Sequence, residues 1–227
     1  MENLYRELHQ IMNEYRNNPK YKCANELAVH VPMIGARYGS RKNVRVMWIG
    51  RAINGWKGEN TFSLPINEFI PNIHCSFANL QRFSWLYDPS SELFYNYHHS
   101  AFWRTSKMVC EGLQSSGARI DDWYEDIVWA NLYTVAPAGG GNPNGSLCAA
   151  QRVICGKLLK KQIEILNPTH IVFVTDWNWF TKFNQPTKYS TPLFPDIEQE
   201  KDNPIIVGRG HIGHYRRSNQ TSRAPLY

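Results

Sequence analysis

The amino-acid sequence predicts an α/β layered fold with a mainly parallel sheet, on three observations. Short apolar strands alternate with amphipathic helices, the order that builds parallel sheets through helical crossovers. Two strands, Val44-Arg45-Val46-Met47-Trp48-Ile49 and Ile127-Val128-Trp129-Ala130, each break off into a small polar loop. A third, Thr169-His170-Ile171-Val172-Phe173-Val174-Thr175, has the near-continuous apolar pattern of a strand covered on both faces.

The elements follow in order. Leu4, Leu8, Ile11, Met12 and Tyr15 recur at helical spacing, which predicts a helix over 4–15, ended by Asn17-Asn18-Pro19-Lys20. Segment 25–40, with Gly35, Gly39 and proline, reads as a loop leading into the strand 44–49. Residues 57–100 mix polar and aromatic types without a clear period, and no regular element is assigned there. A helix over 102–113 follows, then a helical turn around Trp123-Tyr124 capped by Asp121-Asp122, then the strand 127–130. Asn142-Pro143-Asn144-Gly145-Ser146 is a turn and helix start. The long helix Leu147–Leu166 carries Val153, Ile154, Leu158, Leu159, Ile163 and Leu166 on its apolar side and stops at Asn167-Pro168. After the strand 169–175, Trp177–Phe183 begins another helix, and residues 184–203 form an extended connection. A fourth strand, Asn203-Pro204-Ile205-Ile206-Val207, ends at Gly208-Arg209-Gly210-His211. No repeat, heptad or linker divides the chain, so residues 1–227 read as a single domain with a basic C-terminal segment.

Composition bounds the function classes. No apolar run approaches the roughly 20 residues of a membrane span. The five cysteines are odd in number and form no CxxC pair, and residues 1–8 hold acidic residues without an apolar signal segment. A cytoplasmic protein with reduced thiols is expected. The formal charge of +6 suits a polyanionic partner. No acidic residue follows Asp202, whereas Arg209, Arg216, Arg217 and Arg223 do; the stretch either attracts phosphates or stands as a solvated basic tail. His74, Cys75, His98 and His99 lack the spacing of a zinc site, so no metal is expected. Gly139-Gly140-Gly141 lacks the Lys-Ser/Thr of a phosphate loop and reads as a pocket edge. Cys148 and Cys155 read as small buried apolar residues, and Trp177 and Trp179 as packing.

Ligands of open α/β sheets bind beyond the carboxyl ends of the strands. Asn54, in Gly50-Arg51-Ala52-Ile53-Asn54-Gly55-Trp56, and Asn131, in Asn131-Leu132-Tyr133-Thr134-Val135-Ala136-Pro137, stand at that edge. Both are uncharged amides that donate and accept, as reading a nucleobase requires.

Over roughly residues 43–215 the chain resembles the uracil-DNA glycosylase superfamily, in most detail over 127–175. The run Val128–Pro137, its Gly/Asn/Pro turn, Cys155, Leu158-Leu159, Gln162-Ile163, Leu166-Asn167-Pro168 and Ile171–Val174 match that family's strand, Asn, Pro-containing loop, helix, Pro and buried strand. The strand into Gly50 resembles its first motif and the strand into His211 its second. The resemblance implies a three-layer α/β/α sandwich around a mainly parallel four-stranded sheet. It also implies hydrolysis of the N-glycosidic bond of uracil or a related damaged base in DNA by a monomer that needs no cofactor, metal or membrane. Asn131 would read an extruded base, with Gly50, Arg51, Ala52 and Trp56 around it. His211 would stabilise the charge that develops on the leaving base, and Asn54 is the second catalytic candidate. Gly210 and Gly213 would let backbone approach DNA, and Arg216 and Arg217 would contact phosphates.

Departures from the family pattern are explicit. Ala52 stands where many members carry a carboxylate or amide that positions the attacking water; some branches carry alanine there, and Asn54 or Arg51 lie near enough to substitute. His211 is followed by Ile212-Gly213 instead of Pro-Ser, which makes His214 a competing candidate. Only Cys155 matches an iron–sulfur ligand position, so no cluster is expected. Competing readings are a non-catalytic nucleic-acid or nucleotide-binding protein of the same fold, and a hydrolase or transferase acting on free nucleosides or another small ligand.

Overall fold

The computed structural model describes residues 1–21, 26–40, 44–52, 61–78, 83–87, 96–113, 122–175, 177–186, 192, 194 and 212–214. In chain order the elements are α1 (Glu2–Asn17), β1 (Leu27–Val29), β2 (Met33–Ile34), β3 (Val46–Gly50), α2 (Ile66–Ala78), α3 (Ser84–Tyr87), α4 (Ala101–Gly112), β4 (Ile127–Asn131), β5 (Val135–Pro137), α5 (Gly145–Leu166), β6 (His170–Phe173), α6 (Trp177–Asn184) and β7 (Ile212–His214). Short 3-10 turns lie at Thr61–Ser63, Tyr97–His99 and Trp123–Asp126.

Periodicity and punctuation account for the long helices. α1 buries Tyr5, Leu8, Met12 and Tyr15 on one side. α5 starts where the Asn144 side chain accepts the Leu147 amide at 2.9 Å, a standard N-cap. It ends at Asn167, whose left-handed backbone (φ 44°) lets its amide donate to the Ile163 carbonyl at 2.9 Å before Pro168. One expectation within α5 is corrected: Val153 is exposed, whereas the polar Gln151 is fully buried.

The main sheet has five strands in the order β2-β4-β3-β6-β7. β3 runs parallel to β4 and to β6, and β7 runs parallel to β6, whereas β2 pairs antiparallel with β4. The antiparallel edge comes from segment 25–40, expected to be loop; β1, from the same segment, pairs antiparallel with β5 in a separate two-stranded sheet. Residues 57–100, without an assigned element in the sequence, contain α2 and α3. The expected fourth strand at 203–207 lies outside the described residues, and the strand paired with the outer side of β6 is farther along the chain at Ile212–His214.

Alternate positions of the central strands enter different clusters. Val46, Trp48, Ile127 and Trp129 pack with Phe83, Trp85, Leu86, Trp103 and Trp123 on an aromatic face. Met47, Ile49, Val128 and Ala130 pack with Cys155 and Leu159 of α5 and Phe180 and Phe183 of α6. Burial of each such side chain contributes about 1.5–3 kcal/mol. Gly35 sits so close to the Tyr124 and Glu125 backbone that a Cβ there would overlap it. Arg37 then bonds both Asp122 and Asp126, pinning β2 beside the entrance to β4.

Candidate functional site

The site begins with register. Gly50 and Asn131, the last residues of β3 and β4, are paired across the parallel ladder. Backbone bonds continue past the strand ends: Leu132 N–H donates to the Gly50 carbonyl at 2.9 Å, Tyr133 N–H to Arg51 at 3.0 Å and Val174 N–H to Ile49 at 2.8 Å. The crossover after β3 carries α3 and α4 to the aromatic face, and those after β4 and β6 carry α5 and α6 to the other. Divergence of this kind is what creates a ligand crevice in α/β sheets.

Strand alternation puts Gly50 and Asn131 on the face of Trp48 and Trp129. Asn131 is 5% exposed. Its Nδ2 lies 3.1 Å from Nδ1 of His30, and its Oδ1 has no hydrogen-bond partner among the described residues. Gly50 makes this packing possible: a Cβ there would lie 2.5 Å from Asn131 Oδ1 and 3.4 Å from both Phe102 Cε2 and Trp129 Nε1. Gly50, expected at the base-binding edge, is the residue against which the Asn131 amide seats.

His30 reaches Asn131 because residues 27–34 run antiparallel beside 128–137. β1 pairs Val29 with Val135, β2 pairs Met33 with Trp129, and between them His30 N–H donates to the Thr134 carbonyl at 2.8 Å. The imidazole also packs on the Trp129 ring, with centroids 4.6 Å apart. His30 and Phe102 were not among the residues that motif spacing singles out. The only local sign of His30 is one polar residue between Val29 and Val31.

Arg51 and Ala52 do not join the Gly50–Asn131 contact. Arg51 Nε donates to the Thr175 carbonyl at 2.6 Å, and its guanidinium lies 5.8 Å from the Trp179 ring centroid. Ala52 is buried in the cluster of the opposite face, beside Leu132, Tyr133 and Phe180. Trp179 also meets the Tyr133 ring edge-on at 5.8 Å. Nearby, the Cys155 thiol receives the Thr134 amide at 3.4 Å and donates to Gln151 Oε1 at 3.2 Å. Burial pushes its pKa up to about 12, and that of the half-buried Cys148 up to about 11. Both stay protonated at neutral pH and are poor nucleophiles.

At the far edge of the sheet, Gly213 pairs with Val172 and His214 with Phe173. Gly213 is therefore mid-strand, not in the loop from which a DNA contact was expected. Because β7 is parallel to β6, its carboxyl end is His214; His211 precedes the strand and lies outside the described residues. Asn54, Trp56, Gly210, Arg216 and Arg217 also lie outside them. Among the described residues no group of three or more His, Cys, Asp or Glu could hold a metal ion, and no helix is long and apolar enough to cross a membrane. A groove along α1, lined by residues such as Arg6, His9 and Glu14, contains none of the strand-end residues.

Comparison of the chain with protein-family models, with curated proteins and with solved structures finds no match.

Proposed function

We propose that this chain is a DNA glycosylase-like hydrolase that releases uracil or a related base, built as a three-layer α/β/α sandwich of the uracil-DNA glycosylase type. The observation that carries the reading is the buried amide of Asn131 at the carboxyl edge of parallel strands, its acceptor without a partner among the described residues. A buried polar atom left this way costs about 1–3 kcal/mol, and a ligand N–H relieves that cost. A flipped base presents such a donor, and its plane needs an apolar wall. Phe102, against Gly50, supplies one.

In hydrolysis the C1′–N bond breaks, its electron pair moves onto the base, and water adds its oxygen to C1′ and gives up a proton. Asn131 binds and orients the base. A histidine at the strand edge, His211 or the competing His214, donates to the base oxygen that gains charge. Asn54 is the amide left to orient water, since Ala52 carries no polar group. DNA is the proposed polymer, held by Arg216 and Arg217.

A second reading, a nucleic-acid-binding protein without catalysis, is favoured by one observation: Ala52 is buried among apolar side chains. Purified protein incubated with labelled oligonucleotides carrying uracil, hypoxanthine or a mismatch, then treated with alkali, separates the two. Strand cleavage at one lesion supports the glycosylase. Salt-sensitive binding without cleavage supports the binder, and the absence of both cleavage and binding would overturn the nucleic-acid reading.

A further inference from the structure

We infer that His30 is a positioning residue that sets which way round the Asn131 amide faces, and thereby selects a base presenting a ring N–H beside a carbonyl. The inference rests on the proposed base-reading role of Asn131 and adds to it a residue outside every motif of the sequence. The observations are geometric. Asn131 Nδ2 meets His30 Nδ1 at 3.1 Å. An amide nitrogen only donates, so Nδ1 must present its lone pair and the imidazole proton sits on Nε2. The amide oxygen is thereby turned toward Gly50, where a Cβ would lie 2.5 Å from it. The Cα hydrogens of Gly50 suit an oxygen there better than an NH2 group.

That orientation has a chemical consequence. Oδ1, without a partner among the described residues, accepts a ring N–H, and the second hydrogen of Nδ2 remains for a neighbouring carbonyl. This is the edge of uracil or hypoxanthine. Cytosine offers the reverse: an acceptor at the ring nitrogen and an exocyclic amine. Reading cytosine would require the amide to turn over and the imidazole proton to move from Nε2 to Nδ1. The backbone bond of His30 to Thr134 and its packing on Trp129 hold the ring in place, so it does not swing away.

The test uses two variants of the full chain and one ligand-independent measurement. His30→Phe keeps a ring on Trp129 but removes the acceptor. His30→Gln keeps a hydrogen bond, yet its amide meets Asn131 with either its oxygen or its nitrogen. Affinities are measured for matched single-stranded oligonucleotides with one central uracil or one central cytosine. The wild type is expected to prefer uracil by at least about tenfold (1.4 kcal/mol), and both variants to lose most of that ratio, His30→Gln without loss of folding. Retention of the full ratio in both variants would overturn the inference, since a purely packing role moves stability and not selectivity. In parallel, nitrogen NMR of the unliganded protein reads the tautomer of His30. A non-protonated Nδ1 and one hydrogen-bonded Asn131 amide proton are expected, and a proton on Nδ1 would overturn the assigned orientation. If the wild type binds neither oligonucleotide, the proposed function fails by itself, and the NMR result still decides how His30 orients Asn131.

Discussion

Asn131 and Gln151, two of the buried side-chain amides between β4 and the end of α5, are finished differently. Gln151 is fully buried with both ends engaged: its Nε2 donates to the Val135 carbonyl at 2.8 Å and its Oε1 accepts the Val135 amide at 2.8 Å. It completes the free side of β5 as a neighbouring strand would. Asn131, almost as buried, is engaged through Nδ2 alone, and its Oδ1 has no partner among the described residues. A satisfied buried amide adds to stability, whereas an orphaned acceptor costs it. We read the contrast as one between an amide that serves the fold and one proposed to serve a ligand.

The largest effect that would sharpen this contrast is on chemistry. Asn131→Ala should lower base release by about 100-fold or more, as loss of one aimed polar group does, with unfolding free energy within about 1 kcal/mol of wild type. Parallel alkali-cleavage assays and urea titrations read both. Gln151→Ala should do the opposite: it strips the amide and carbonyl of Val135 of their partner and opens a cavity, costing about 2–4 kcal/mol of stability. At a temperature where the variant is fully folded its base release should stay near wild type; a Gln151→Ala protein as stable as wild type would break the comparison. Next comes Gly50→Ala. The added methyl lies 2.5 Å from Asn131 Oδ1, so the amide must shift, and about tenfold loss of base release with about 1–3 kcal/mol of destabilisation is expected.

The smallest effect is one of pH. Burial raises the Cys148 and Cys155 thiols from 9.0 to about 11 and about 12. In the folded state these groups hold their protons more tightly than in the unfolded chain, so their contribution to stability is complete below about pH 9 and declines as pH rises through their folded pKa values. Denaturant midpoints between pH 8 and pH 11 should fall with pH, less steeply in Cys155→Ala. A midpoint that rises over that range would contradict the burial of these thiols.

Much of the frame was legible because it rests on local pattern. The alternate packing of Val46, Met47, Trp48 and Ile49 is written in an apolar run, and α5 is bracketed by Asn144 and Asn167, whose capping roles follow from their side chains and backbone preferences. β1 and β2 were not legible, since strands of three and two residues show no alternation. α2 carries Pro71 within it, a helix breaker that hides the spacing of Phe69, Ile70 and Ile73. At the site, Gly50 and Asn131 announced themselves by ending apolar strands. His30 did not, because it joins Asn131 across 101 residues of chain through pairing that no local window contains. The partition of Arg51 and Ala52 away from Asn131 was likewise hidden: it depends on which face each residue takes once β3 has ended.

The most direct measurement is base release from a uracil-containing single-stranded oligonucleotide by wild type and Asn131→Ala, at a temperature where melting curves show both fully folded. Release by the wild type and its loss in the variant are expected if the Asn131 amide is held for a ligand. Equal release by the two folded proteins would contradict that role outright.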